Sequence, residues 1–280
     1  NDGIYLLSSS NNNICENNVT ANKENGIWLY LSSGNNITGN IITKNLDGVA
    51  LGISSNNNRI TENNISSNIG RGIIFIRDTN YNSISGNNIT KNEYGIWLYY
   101  SSNNRIFHNN FAENQQHTYV FDAHNDSWDD GYPSGGNYWS DYTGVDLYSS
   151  PYQNETGSDG IGDTPYTVSS GHVDKYPIMG AFSDFDATPE FHVQTVCNST
   201  ILDFNFNGTA ISFNVSGEMG SIGFCRICIP TALMNDTYKV FVDSAEVPYT
   251  LLSCSNMTHN YLYFTYNHST KEVVIIPESQ

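Results

Sequence analysis

The chain has 280 residues, with 28 acidic against 11 basic side chains and a formal net charge of −17. That length allows two domains and a sizeable core, and the acidic balance excludes nucleic acid as a natural partner while favouring cations. No run of residues is long and apolar enough to span a membrane.

Residues 1–121 repeat. Gly-hydrophobic-x-hydrophobic recurs at Gly3, Gly26, Gly48, Gly72 and Gly95, every 22 to 24 residues. Aliphatic positions follow at Ile14, Ile37, Ile60, Ile84 and Ile106, then at Val19, Ile42, Ile65, Ile89 and Phe111. Three asparagine columns accompany them: Asn12, Asn35, Asn58, Asn82 and Asn104; Asn17, Asn40, Asn63, Asn87 and Asn109; Asn22, Asn45, Asn68, Asn92 and Asn114. A period of this size means a stacked repeat, because one unit cannot bury its apolar side chains alone. Three short alternating segments per repeat fit three strands and three turns. Coils stacked at roughly 4.8 Å would align the asparagines into hydrogen-bonded amide ladders. Asn also tolerates the left-handed conformation that sharp corners need. No 3.6-residue periodicity is present, which excludes a helical solenoid. The expectation is an all-β chain opening with a parallel β-helix of about five coils.

In the first strand of each coil, Ile4, Leu6, Ile27 and Leu29 and their equivalents point inward. Tyr5, Trp28, Tyr30, Ile74, Ile76, Trp97 and Tyr99 then point outward, an apolar column that predicts an interface with the chain's own remainder, a partner copy or sugar rings. Charged residues on the coils do not collect: Glu16 and Glu62 share a column whose other rungs are Gly39 and Gly86. No acid–base pair forms at matching rungs, so no enzyme is expected. The first coil begins almost at Asn1; its open edge is expected to be covered by upstream residues or by a neighbouring copy, and repetition of such a contact gives a homopolymer.

Residues 122–187 break the period and read as an ordered aromatic cap over the last coil. They contain Gly135-Gly136-Asn137-Tyr138-Trp139-Ser140-Asp141-Tyr142 and Asp159-Gly160-Ile161-Gly162-Asp163-Thr164-Pro165-Tyr166. With Asn-rich coils before them, these two blocks resemble the archaeal cell-surface members of the NosD-like parallel β-helix group. The resemblance covers roughly residues 1–180. It implies right-handed coils and an extracellular protein, commonly of unassigned activity. The copper role in the group's name is not carried over, because the seven His and four Met are scattered. Asp141, Asp146, Asp159 and Asp163 form a candidate calcium site, since short Asp spacing with glycines lets oxygens converge on a hard cation. The competing reading is a turn whose carboxylates cap backbone amides.

Residues 188–280 read as short strands: Phe191–Val196, Ile201–Phe206, Ile211–Val215, Phe224–Ile229, Tyr238–Val242, Val247–Leu252, Tyr261–Tyr266 and Glu272–Ile276. Their spacing points to an immunoglobulin-like β-sandwich. Cys197, Cys225, Cys228 and Cys254 are expected to make two disulfides, with three pairings open; Cys225-Arg-Ile-Cys228 also reads as half of a zinc site, and Cys15 is left over. Twelve glycosylation sequons occur, at Asn18, Asn36, Asn64, Asn88, Asn125, Asn154, Asn198, Asn207, Asn214, Asn235, Asn256 and Asn267. Together these features predict an extracellular, glycosylated surface-layer or filament subunit that self-associates. The alternative is a carbohydrate-binding or polysaccharide-processing β-helix.

Overall fold

The computed structural model describes residues 1–235 and 237–278, and among them there is no helix. The chain divides into two compact units, residues 1–143 with 164–177, and residues 144–163 with 178–280.

The first unit is the β-helix. Each coil gives one strand to each of three parallel sheets. The first sheet holds Ile4–Leu7, Asn25–Tyr30, Asp47–Gly52, Arg71–Ile76, Tyr94–Tyr99 and Gln116–Phe121. The second holds Asn13–Cys15, Asn36–Thr38, Arg59–Thr61, Ser83–Ser85 and Arg105–Phe107. The third holds Asn18–Thr20, Ile41–Thr43, Asn64–Ser66, Asn88–Thr90, Asn110–Ala112 and Tyr138–Trp139. Strand registers set Ile14, Ile37, Ile60, Ile84 and Ile106 one above another, and all five are buried. Burying each such side chain contributes roughly 1.5–3 kcal/mol. The recurrent glycine has a steric cause. A β-carbon on Gly26 would lie 2.7 Å from Ile42 and 2.8 Å from both Asn45 Nδ2 and the Gly48 carbonyl.

Each column asparagine donates upward. Asn63, for example, donates its backbone N–H and its Nδ2 to Oδ1 of Asn87 at 3.0 and 2.9 Å. Its Nδ2 also reaches the carbonyls of Ile37 and Thr61, so the buried amide is satisfied. The left-handed corner falls one residue earlier than expected. Positive φ occurs at Glu16, Gly39, Glu62, Gly86 and His108, directly before the second column, and at Ala21, Lys44, Ser67, Lys91 and Glu113 before the third. The asparagines are therefore ladder formers; their predecessors make the corners. Gly39 and Gly86 share a column with Glu16 and Glu62 because that position needs positive φ.

The aromatic segment after residue 121 adds a rung. Asn109 donates to Asn137 Oδ1 just as within the coils, and Tyr138–Trp139 pairs with Asn110–Phe111. Trp139 stacks on Phe111 at 4.5 Å and Tyr166 stacks on Trp139 at 4.4 Å, continuing the inner column beyond the coils. Asp174, fully buried, accepts from the Asn137 amide at 2.7 Å and from Trp139 Nε1 at 2.9 Å. Gly136 lies so close to the Asp174 carboxylate that a β-carbon there would collide with it. The Gly-Gly-Asn-Tyr-Trp block thus has a packing explanation at each of its last four residues but Tyr138. The expected single cap of residues 122–187 is divided: 122–143 and 164–177 lie in the first unit, and the rest in the second.

The second unit contains two five-stranded antiparallel sheets. One runs in the order Ala181–Thr188, Phe191–Cys197, Ile222–Pro230, His259–Asn267, Tyr249–Leu251. The other runs Thr200–Phe206, Ile211–Ser216, Lys271–Pro277, Tyr238–Val242, Ala245–Val247. Val193, Ile227 and Phe264 from the first meet Phe213, Val240 and Ile275 from the second in one buried core. The strand expected at Val247–Leu252 is instead two, one in each sheet, separated at Pro248. Proline has no N–H to give a ladder, so the chain changes sheets there. Ala181–Thr188, expected within the cap, is an edge strand of this unit.

Candidate functional site

The outer face of the first sheet is the most apolar exposed surface of the β-helix. Register aligns Tyr5, Trp28, Ala50, Ile74, Trp97 and Tyr119 in one column, and Leu7, Tyr30, Gly52, Ile76, Tyr99 and Phe121 in the next. Tyr5 and Leu7 are 54% and 56% exposed and Phe121 is 45% exposed, whereas Trp28, Tyr30, Ile76, Trp97 and Tyr99 are half-buried. Ile74, expected to be exposed, is buried at 7%. The small pair Ala50 and Gly52 makes a step in this face. A β-carbon on Gly52 would meet Tyr30 at 3.3 Å and Trp28 at 3.7 Å, so both rings lean over the step. The Trp28 Nε1 is buried and meets no acceptor among the described residues.

Two rungs along, the rings pack differently. Trp97 stacks on Tyr119 at 3.7 Å, Arg71 lies over Trp97 at 4.9 Å, and Tyr94 meets Trp97 edge-on. Tyr99 stacks on Phe121 at 5.4 Å. Arg71 is also paired with Asp47 at 3.3 Å. Sequence reasoning missed Tyr119 and Phe121 because the strand Gln116–Phe121 carries His117 where the earlier coils carry glycine, and it missed Tyr94 because that residue precedes the Gly-hydrophobic-x-hydrophobic pattern. The alternation from Thr118 to Phe121 was the signal available.

The four candidate calcium ligands do not come together. Asp141 belongs to the first unit, where it faces His117 Nε2 at 3.4 Å and accepts from the Tyr166 hydroxyl. Asp146, Asp159 and Asp163 share one turn of the second unit, with their oxygens on backbone amides. Asp146 accepts from Asp159 and Gly160, Asp159 from Ile161, and Asp163 from Leu147 and Tyr148. Burial, with Asp159 and Asp163 nearby, pushes the Asp146 carboxyl up to about 7. The amide-capping turn accounts for these carboxylates without an ion, and no metal-holding cluster of three or more His, Cys, Asp or Glu occurs among the described residues.

A second polar feature was not foreseen. Asp122, His124, Asp126 and His172 line a cleft of about 510 Å³ at the end of the coils. Asp126 occupies the next rung of the first asparagine column and accepts from the backbone N–H and Nδ2 of Asn104. Its Oδ2, where an asparagine would carry its NH₂, is buried with no partner among the described residues. Burial raises its pKa to about 6. His172 accepts from Trp128 Nε1 at Nδ1 and donates from Nε2 to the Ala123 carbonyl. That assignment is the neutral imidazole, in keeping with a pKa lowered by burial.

All twelve sequon asparagines are exposed or half-exposed; Asp236, inside the Asn235 sequon, lies outside the described residues. Asn36 lies on the second sheet, and Asn18, Asn64 and Asn88 share one column of the third. The strands of the first sheet carry none. Asn198 is tied down at both side-chain ends, to the Ile222 carbonyl and the Phe224 amide.

Two solved chains resemble this one at low similarity. The Dettilon tailspike protein (gp208) is 14% identical, with 94% of this chain and 55% of that one covered and a TM-score of 0.33. The tailspike protein gp49 from Acinetobacter baumannii bacteriophage Fri1, a capsular polysaccharide depolymerase, is 11% identical, with 98% and 59% covered and a TM-score of 0.25. The chain therefore spans less than two thirds of either. No curated protein matches it. The family model described as periplasmic copper-binding protein (NosD) matches residues 1–144.

Copper does not fit the matched part. Residues 1–144 contain no methionine, one cysteine (Cys15) and three histidines (His108, His117 and His124). His108 binds the Ser134 carbonyl, His117 sits between Asn114 and Ser140, and His124 pairs with Asp122. In the second unit His192, Cys228, Met257 and His259 line one cleft of about 540 Å³, but Asp184 and Asp186 hold His192. By its coils and the match over residues 1–144, though not by a copper donor set, the chain belongs to the NosD family.

Proposed function

We propose that this chain is an extracytoplasmic carbohydrate-binding module that holds glycan against the outer face of its first sheet. The observation that carries the reading is the pair Trp28 and Tyr30 leaning over the Ala50–Gly52 step. Rings laid across small residues offer flat apolar surface, the shape that the C–H faces of a sugar stack on. The family's periplasmic description supports a location outside the cytoplasm. The neighbouring charges support binding rather than processing, because Asp47 and Arg71 are paired with each other. Affinity electrophoresis through polysaccharide gels is the test. A retarding polysaccharide is expected, with binding weakened about two- to tenfold in Trp28→Ala, the loss of roughly 0.5–1.5 kcal/mol of stacking. Binding that survives both Trp28→Ala and Tyr30→Ala removes the reading.

A second reading, self-association as a surface-layer or filament subunit, has one observation in its favour. Trp97 has Tyr119 stacked on it and Arg71 over its ring, and this sheet, whose strands carry no sequon, would suit a protein partner. Sedimentation of the wild type beside Trp97→Ser separates the two. A concentration-dependent oligomer lost in Trp97→Ser favours this reading, and a monomer throughout favours carbohydrate.

A further inference from the structure

We infer that the second unit carries two disulfides, Cys197–Cys225 and Cys228–Cys254. Composition alone left three pairings. The strand geometry removes two of them. Cys225 and Cys228 lie in one strand, Ile222–Pro230. Three residues of extended chain separate their Cα atoms by roughly 10 Å, beyond the ~7 Å a disulfide spans. Their side chains also leave opposite faces of the sheet. Cys225 is part of the buried inter-sheet core and Cys228 is not. Neither a bond between these two nor a shared zinc ion is possible without breaking the strand.

Cys197 is directly opposite Cys225 in the antiparallel pair, and both are in the same core. Their thiols are near enough to shift each other's pKa. Cys228 is directly opposite Tyr261, whose backbone N–H is bound by the Ser255 hydroxyl and whose carbonyl accepts the Leu252 amide. The turn holding Cys254 is thus fastened at Tyr261, and Cys254 is close enough to Cys228 to raise its pKa. Pairing Cys197 with Cys228 or Cys254 would need a side chain to pass through the sheet.

Each bond forms as two thiols lose two protons and two electrons. The electrons pass by thiol–disulfide exchange to the disulfide of an oxidoreductase, which is reduced to a dithiol. The second bond fastens the turn bearing Met257 and Thr258, which wall the cleft lined by His192 and His259.

Trypsin distinguishes the pairings. Cleavage after Lys175, Arg226, Lys239 and Lys271 places Cys197 and Cys225 together in 176–226, Cys228 in 227–239 and Cys254 in 240–271. Protein from oxidising expression, alkylated without reduction and digested, is expected to give 176–226 alone, unalkylated and two hydrogens lighter. Peptides 227–239 and 240–271 are expected as a linked pair. In Cys228→Ser the first bond is expected to persist while Cys254 becomes alkylated. Any link from 176–226 to another peptide overturns the inference, as does alkylation of all four cysteines.

Discussion

Asn63 makes four side-chain and backbone donations into its own ladder, and each has a partner at 2.9–3.0 Å. Replacing it with Leu removes the acceptor of the Asn40 backbone N–H, breaks the ladder bond from Asn40 Nδ2, and removes the Nδ2 bonds to the Ile37 and Thr61 carbonyls. We expect Asn63→Leu to destabilise the β-helix by about 1–3 kcal/mol in a urea melt. Asp126 is the opposite case, a carboxyl where an amide would complete the pattern. Burial raises its pKa to about 6 from the ordinary 3.8, so between those values the folded state binds more protons than the unfolded. This contribution is therefore present at acid pH and is lost as pH rises through 6. Asp126→Asn should remove that loss, stabilising the first unit by about 1–3 kcal/mol at pH 8 and by little at pH 4. A chemical melt at both values checks it; equal effects at the two pH values would exclude titration as the cause.

At the level of elements, the coils were legible because their period is carried by residues with one role each. Ile60 fills the interior, Asn63 bonds along the column and Glu62 turns the corner, at fixed spacing. The sixth rung was hidden by an insertion: Asn109 and Asn137 are 28 residues apart, not 22 to 24. Pro248, whose switch between sheets depends on tertiary context, was read as the interior of one strand. The carboxylates were read as candidate ligands because spacing shows that Asp146 and Asp159 can approach; it does not show that backbone amides reach their oxygens. The aromatic site was half visible, since Trp28 was placed correctly on the outer face but the Gly52 step beneath it is a product of register. Gly136→Ala tests the capping element. Its β-carbon would be driven into the Asp174 carboxylate, and we expect a loss of about 1–3 kcal/mol with altered fluorescence of the buried Trp139.

Across the whole molecule, the chain passes between the two units three times, at residues 143–144, 163–164 and 177–178. No single cut separates them, since a first unit ended at residue 143 loses the hairpin that carries Asp174 and the ring of Tyr166. Growth within the coils is a different matter. Each coil contacts its neighbours through repeated register, so stability should add by rungs. A second copy of residues 46–68 placed after Asn68 preserves every column spacing. We expect that protein to unfold cooperatively, within a few degrees of the parent in a thermal scan. The same copy placed after Asp126 should fail to fold cooperatively.

The second insertion enters out of register, because Asp126 stands in the first column and the copy ends in the third; the ladders also have a direction. Each ladder bond runs from an Nδ2 to the Oδ1 at a higher residue number, so along the ladder the amide dipoles share one sense, as peptide dipoles do along a helix. The positive pole of two columns is met by a carboxylate, Asp126 in one and Asp174 in the other, and that of the third by the acceptor nitrogen of His117. A group that only accepts ends a chain of donors. The solenoid thus carries its own stop signal: the coil count is written by where the first acceptor without an N–H appears, and a sequence that keeps asparagine there would go on winding.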